Sequence, residues 1–279
     1  MKVEVVTVCV GYADLLAETL RENLPLIDNI VVVTSPEDEE TRSVCRRYSV
    51  HHVLSEDHRR GGPFNKARMI QRGFDQIGAA DWVLHLDADV VLPRKFRQYL
   101  DWAHLDPQVI YGADRCNLTG YAEWQRLKQH AGCWDNHAHE CGHWFHPLYP
   151  VGSRWVSKIH GYVPIGFFQL FHGTALIQNG YHVRQYRNDH GDAARTDVQF
   201  ALQWDRRFRQ VLPEVIVLHL ESAAAPIGAN WAGRTTPRFG EATPTLPSPM
   251  KGEGVAEPET KHQPEHHRHH HHHHHRPIS

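Results

Sequence analysis

Short apolar runs alternate with stretches whose apolar residues recur at helical spacing through the first 110 residues of the chain. That alternation is how an α/β sheet with parallel strands reads in sequence. Val3 to Val10 predicts a strand, Ala13 to Asn23 a helix with Leu15, Leu16, Thr19 and Leu20 on one face, and Asn29 to Thr34 a second strand closed by Ser35-Pro36. A turn and helix over Ser35 to Tyr48 place Asp38, Glu39 and Glu40 near the positive helix end. Val50 to Leu54 gives a third strand, and Phe64 to Ile77 a helix with Ala67, Ile70, Phe74 and Ile77 on one face. The next run, Trp82-Val-Leu-His-Leu-Asp87-Ala88-Asp89, predicts a buried strand that delivers two carboxylates, one residue apart, to its end.

Beyond this point the pattern loosens. Pro93 to Trp102 predicts a helix, Gln108 to Cys116 a strand and Tyr121 to Gln129 a helix, after which Ala131 to His160 is crowded with Trp, His, Gly and Pro. Such a segment suits a substrate-facing loop better than a sheet. Regular patterns return with the strand Gly166 to Phe171, a helix over Ala194 to Arg209 and a strand over Val215 to Leu220. Apolar periodicity ends near Gly240, so the expected organisation is one α/β domain over residues 1–240 and a disordered Pro/Gly- and His-rich tail over 241–279. The run His269 to His275 resembles a tag and carries no functional weight.

Composition narrows the class. With 41% hydrophobic residues the chain can bury a sizeable core, and 30 basic against 32 acidic residues, without a basic block in the body, exclude a nucleic-acid footprint. No apolar run is long enough to span a membrane and the first residues do not form a signal peptide, although peripheral membrane contact stays compatible. Five scattered cysteines, with Cys9 inside an apolar strand, argue against a disulfide framework and for a reducing cytoplasm.

The chemistry centres on Asp87-Ala88-Asp89. Two carboxylates flanking a small residue can share a hard divalent cation that in turn holds a diphosphate, whereas a lone acidic doublet is more often a solvated turn or a helix-start pair. On their own, Lys66 reads as a solvated helix start, Tyr12 as a half-buried loop aromatic and His219 as a core histidine. Thr196-Asp197-Val-Gln199 has the form of a capping box, with Asp197 favourable in the first helical turn. Asp189 and Asp192, around the flexible Gly191, are further carboxylates on a loop that could move over a site. Cys133, His137, His139 and Cys141 carry soft ligands at spacings that match no familiar zinc motif.

Four segments in order, Val5 to Val10 followed by Tyr12, Phe64-Asn65-Lys66-Ala67, Leu84-His-Leu-Asp87-Ala-Asp89, and Gly166-Phe-Phe-Gln-Leu-Phe171 with Thr196-Asp197 and His219, resemble a family 2-like glycosyltransferase over roughly residues 1–240. The resemblance implies the GT-A nucleotide-diphospho-sugar transferase fold, a central mixed, mostly parallel sheet with helices on both faces. It also implies metal-dependent transfer, with inversion, of a sugar from a nucleotide-sugar, a UDP-sugar being the expected donor, to a hydroxyl of a glycan, lipid-linked or protein acceptor. Tyr12, Lys66 and Asp87 would lie near the nucleoside. Asp89, with Asp87 and His219, would hold Mn²⁺ or Mg²⁺, and Asp197 would be the catalytic base, with Asp189 and Asp192 in reserve. Gly166 to Gln169 would run beside the donor sugar, glycine allowing close approach. The chain departs from the family after the second strand, where Thr34-Ser35-Pro36-Glu37-Asp38 replaces the usual acidic turn and leaves open whether Asp38 takes its place.

Two other functions compete. A nucleotidyltransferase would use a similar sheet, but its basic glycine-rich loop after the first strand is replaced here by Val10-Gly11-Tyr12-Ala13-Asp14. A non-catalytic nucleotide- or sugar-binding protein of the same fold would keep the acidic pair and lose turnover.

Overall fold

The structure, a computed structural model, describes residues 1–77, 81–129, 154–187, 191–222 and 226–240. In chain order the elements are β1 (Val3–Val8), α1 (Ala13–Asn23), β2 (Asn29–Thr34), α2 (Glu39–Arg47), β3 (His51–Leu54), α3 (Lys66–Gln76), β4 (Trp82–Leu86), β5 (Val90–Val91), α4 (Phe96–Ala103), β6 (Ile110–Thr119) and α5 (Tyr121–Gln129). The two-residue pairs β7 (Val156–Ser157) with β8 (Gly161–Tyr162) and β10 (Ile177–Gln178) with β11 (Tyr181–His182) flank β9 (Phe168–His172), and α6 (Thr196–Ala201) precedes the long β12 (Arg209–Glu221).

Eight strands form one mixed sheet in the order β3-β2-β1-β4-β9-β6-β12-β5. β3, β2, β1 and β4 are mutually parallel, β9 runs antiparallel between β4 and β6, β6 and β12 are parallel, and β5 closes the edge antiparallel to β12. Chain order reverses between β2-β1 and β4, and this reversal opens the sheet at the carboxyl ends of its strands. Alternation along β1 explains the layers. Val3 and Val5 pack with Leu16, Leu20 and Val44 beneath α1 and α2, whereas Val6 and Val8 pack with Ala67, Ile70, Phe74 and Phe200 beneath α3 and α6. The expected sheet with helices on both faces is therefore the observed one.

Several boundaries differ from expectation. The helix foreseen over Ala194 to Arg209 is confined to Thr196–Ala201, because Arg195 before it has a left-handed backbone (φ 63°) and Asp205 after it is extended. β12 begins at Arg209, six residues before the expected strand, and its register with β6 shifts between Leu212 and Ile216, across Pro213. A proline, lacking an N–H, is accommodated in a strand at such an irregularity. The tail over 241–279, the Cys133/His137/His139/Cys141 cluster and Asp189 lie outside the described residues. No helix among the described residues is long and apolar enough to cross a membrane.

Gly73 lets α3 lie against the sheet, since a Cβ there would run into Val6 Cγ1 at the centre of β1. Helix propensity alone favours alanine over glycine by about 1 kcal/mol. Overpacking against a fully buried valine outweighs it, so Gly73→Ala should lower stability by about 1–3 kcal/mol in urea unfolding. A variant more stable than the parent contradicts this packing.

Candidate active site

The acidic pair lies where β4 gives way to β5. Asp87 N donates to Phe167 O (3.2 Å) and Val90 N to Asp87 O (3.2 Å), so the chain turns over Ala88 and Asp89 and re-enters the sheet as β5. β5 then pairs with β12 in a register that sets Val90 opposite His219, and Leu220 N donates to Asp89 O (2.8 Å). The backbone thus brings Asp89 to His219, whose Nε2 is 2.9 Å from Asp89 Oδ2. Glu221, two residues on and therefore on the same face of the strand, approaches His219 Nδ1 at 3.0 Å without hydrogen-bond geometry. Burial alone would depress the imidazole, but Asp89, with help from Glu221, holds it up at about 9.

Lys66 reaches the same edge from α3. Asn65 caps that helix, accepting from Arg68 N (3.1 Å), and this fixes Lys66 as its first residue. A cation is unfavourable at a helix N-terminus, and Lys66 is held there by Asp87, with Nζ 2.6 Å from Oδ1 and both side chains about one-fifth exposed (22%). It is not a solvated helix start. Burial disfavours both charges, but each stabilises the other, so the lysine is raised and the Asp87 carboxyl lowered. Asp89 and Asp197 add to the negative field around Lys66.

Asp197 sits in the first turn of α6. The capping box does not form: Arg195 occupies the cap position and no side chain caps the helix. Instead, Asp197 Oδ2 accepts from Gly166 N (2.7 Å) and Oδ1 from Val198 N (2.8 Å). Gly166 earns its place here, since a Cβ would lie 3.0 Å from Asp197 Cβ; the space expected for a ligand is taken by this side chain. Burial raises the Asp197 carboxyl, the two amides and Lys66 pull it down, and Asp87 pushes it up again, leaving it above the ordinary value. Asp192 accepts from Ala194 N (2.9 Å). Gly191 is docked backbone to backbone on Gly61 and Gly62, and its carbonyl accepts from Phe64 N (3.0 Å).

A cleft of about 480 Å³ opens at the ends of β1 and β3, lined by Val10, Gly11, His58, Phe64, Arg234 and Thr235 among others. Asp38 is committed elsewhere, accepting from Gly11 N (2.8 Å), Thr41 N (3.1 Å) and Thr41 Oγ1 (2.7 Å). It braces the first loop and caps α2. Tyr12 is half-buried beneath Arg234, whose guanidinium carbon stands 5.0 Å from the ring centre, and burial followed by the Asp89 charge raises its hydroxyl.

The profile of "Glycosyltransferase like family 2" matches residues 2–143, just over half of the chain. The chain belongs to this family. The matched part of this glycosyltransferase contains Tyr12, Lys66, Asp87 and Asp89. No curated protein matches it. Among solved structures it is similar to a mycobacterial protein (13% identity over 82% of this chain and 69% of that one, TM-score 0.46). It is also similar to glucosyl-3-phosphoglycerate synthase from Mycobacterium tuberculosis in complex with Mn²⁺, UDP-glucose and phosphoglyceric acid (12%, 81% and 73%, 0.47), and to mannosyl-3-phosphoglycerate synthase from Rubrobacter xylanophilus (17%, 81% and 67%, 0.42). Likeness at this level carries no substrate and no site residue across.

Tyr12, Lys66, Asp87, Asp89, His219 and Asp197 thus converge on one sheet edge. Glu221 and Arg234 were not foreseen. The former was legible, since His219-x-Glu221 repeats on β12 the spacing of Asp87-x-Asp89. Arg234 lies in an aperiodic segment with no sequence signal. It forms a bidentate pair with Asp14 (2.5 and 2.9 Å), donates to Gly11 O (3.0 Å) and Ser222 Oγ (2.8 Å), and so clasps residues 226–240 of the glycosyltransferase onto the first loop.

The two side chains of this clasp are largely but not fully buried (11% and 5% exposed), so Arg234→Ala should cost about 2–3 kcal/mol by removing the cation that pairs with Asp14. Burial alone would raise Asp14, but Arg234 and the Phe239 amide hold it below its ordinary value. The clasp therefore contributes fully above the unfolded carboxylate pKa of about 3.9 and is lost as pH falls through the lower folded value. The stability gap between parent and variant, read by thermal unfolding, should persist at pH 7 and close in strong acid. A gap independent of pH contradicts the assignment.

Proposed function

We propose that this glycosyltransferase moves a sugar from a nucleoside diphosphate donor, a UDP-sugar first among those to test, to a hydroxyl acceptor, with inversion at the anomeric carbon and dependence on a divalent cation. The observation that carries the reading is the meeting of three carboxylates, Asp87, Asp89 and Asp197, around the half-buried Lys66, two residues from Phe64 in the wall of the cleft at the end of β1. Tyr12, Lys66 and Asp87 are the donor-facing groups.

The residues present fit a hard cation. Buried Asp89 Oδ1 has no hydrogen-bond partner among the described residues, and carboxylates outnumber cations at the edge, which by itself would repel a diphosphate. Among the described residues no three His, Cys, Asp or Glu side chains already form a metal-ligand group, so an Mn²⁺ or Mg²⁺ ion would be held by one or two carboxylates and completed by phosphate oxygens and water. Asp89, with Asp87, would hold it, His219 joining them only on giving up the proton that pairs it with Asp89, and when bound it supplies Lewis-acid stabilisation to the leaving diphosphate.

The protein's own residues do the rest. Asp197, fixed by two backbone amides, takes the proton from the acceptor hydroxyl as its oxygen bonds to the anomeric carbon. The bond from that carbon to the diphosphate breaks with its electron pair on the phosphate oxygen, where Lys66 meets the developing charge. Direct displacement of this kind inverts the anomeric centre. The raised carboxyl of Asp197 brings it nearer the operating pH, which favours a general base.

Asp197→Asn should lower kcat for UDP release from a UDP-sugar by about 10²–10⁴ while the variant still binds UDP with Mn²⁺. Product analysis by NMR should show an inverted anomer. Turnover by Asp197→Asn at the parent's rate removes Asp197 as base, and pyrophosphate release from a nucleoside triphosphate and a sugar phosphate replaces the proposed reaction altogether. For the acidic edge, Asp89→Asn should abolish the Mn²⁺ dependence of activity together with most of the activity, as EDTA should in the parent. EDTA-resistant turnover contradicts the metal requirement.

A further inference from the structure

Behind the acidic edge lies a polar knot that the proposed mechanism does not use. His85 and Gln169 face each other across the β4–β9 pairing, both fully buried on the sheet face that α3 and α6 otherwise cover with Met69, Ile70, Phe74 and Phe200. Tyr186, 3% exposed and stacked on Phe200 at 4.4 Å, joins them. Placing three polar side chains in such a layer is costly unless their hydrogen bonds are made.

Gln169 makes all of its bonds. Its Nε2 donates to Pro164 O (3.0 Å) and to Asp197 O (3.1 Å), and its Oε1 accepts from Tyr186 OH (2.8 Å) and faces His85 Nδ1 (3.1 Å). Two carbonyls on one side require the amide nitrogen there, so the oxygen must face His85 and the proton between them belongs to Nδ1. One side chain therefore ties together β4, two residues before Asp87, the Pro164 turn that leads to Gly166, and the backbone of Asp197 itself. Asp197 is held twice, through its carbonyl by Gln169 and through its carboxylate by Gly166 N (2.7 Å). Both anchors belong to the chain that enters and forms β9.

We propose that Gln169 is a positioning residue that sets the Asp197 carboxylate in register with the Asp87–Asp89 edge, so that it governs the chemical step and not donor binding. The inference rests on the functional reading above. A hydrophobic core residue at this position would fill the same volume but leave the first turn of α6 tied to β9 by the Gly166 contact alone. A small displacement of a catalytic group is enough to slow a reaction by an order of magnitude or more.

The test uses the full chain, a panel of UDP-sugars with Mn²⁺, and UDP release with water as acceptor. Gln169→Met, close to isosteric, should lower kcat about 10- to 100-fold while donor KM and the thermal shift produced by UDP with Mn²⁺ stay within about twofold of the parent. Tyr186→Phe, which removes a bond to Oε1 and leaves the bond to Asp197 in place, should stay within about threefold of the parent kcat. Gln169→Asn, polar but too short to span both carbonyls, should behave like Gln169→Met and stands in if that variant does not fold. Parental kcat in a folded Gln169 variant, or donor KM rising in step with the loss of kcat, overturns the proposal. So does failure of both Gln169 variants to fold, which would make the residue a determinant of the core. A parent that turns over no UDP-sugar strikes the functional reading itself.

Discussion

The short pairing of β5 with β12 is the constraint on which the site depends. Val90 and Val91 make a strand of two residues, yet their register with His219 and Leu218 joins the two ends of the domain. Asp89 comes from the turn before β5 and His219 from a strand 130 residues later in the chain, so neither local sequence nor either half of the sheet can assemble the pair alone. Hydrogen bonds of the strand ladder, including Leu220 N to Asp89 O (2.8 Å), set the position of the side chains before any ligand arrives. A preorganised edge of this kind costs little to reorganise when charge develops on a leaving group.

Charge dictates what the edge can accept. Three carboxylates lie close enough to one lysine to raise its pKa despite burial, and Glu221 adds a fourth carboxylate behind His219. Such an arrangement is unfavourable in a poorly solvated place unless cations balance it. Lys66 and the protonated imidazole supply part of the balance when no metal is bound, and a divalent cation between Asp87 and Asp89 would add the positive charge that a diphosphate needs. The same edge without a cation would repel the donor. Arg234, by contrast, is spent on Asp14 and on backbone carbonyls, and its work is to hold the 226–240 segment over Tyr12.

Much of the fold was legible in the chain because burial on both faces of a parallel sheet leaves a strong imprint. The runs Val3 to Val8, Asn29 to Thr34 and Trp82 to Leu86, and the helices between them, emerge close to where apolar spacing puts them. Later elements were harder to read for physical reasons. A two-residue strand such as β5 has no periodicity to detect, Pro213 hides a continuous β12 within an irregular register, and the left-handed Arg195 shortens α6 in a way composition does not announce. In the site, Lys66 opens a regular helix and Asp87 and Asp89 directly follow a strongly apolar strand, so all three could be picked out. Gln169 was expected beside the donor sugar but is fully buried, because its partners His85, Tyr186 and the Asp197 carbonyl are brought to it only by tertiary structure.

In the proposed reading the Asp87–Asp89 edge takes a diphosphate only with a divalent cation. Isothermal titration of the purified chain with UDP, with and without Mn²⁺, measures this without reference to any acceptor or sugar. The expected result is binding at least tenfold tighter with the metal, about 1.4 kcal/mol or more. Equal affinity in the two titrations, or no UDP binding in either, would contradict it.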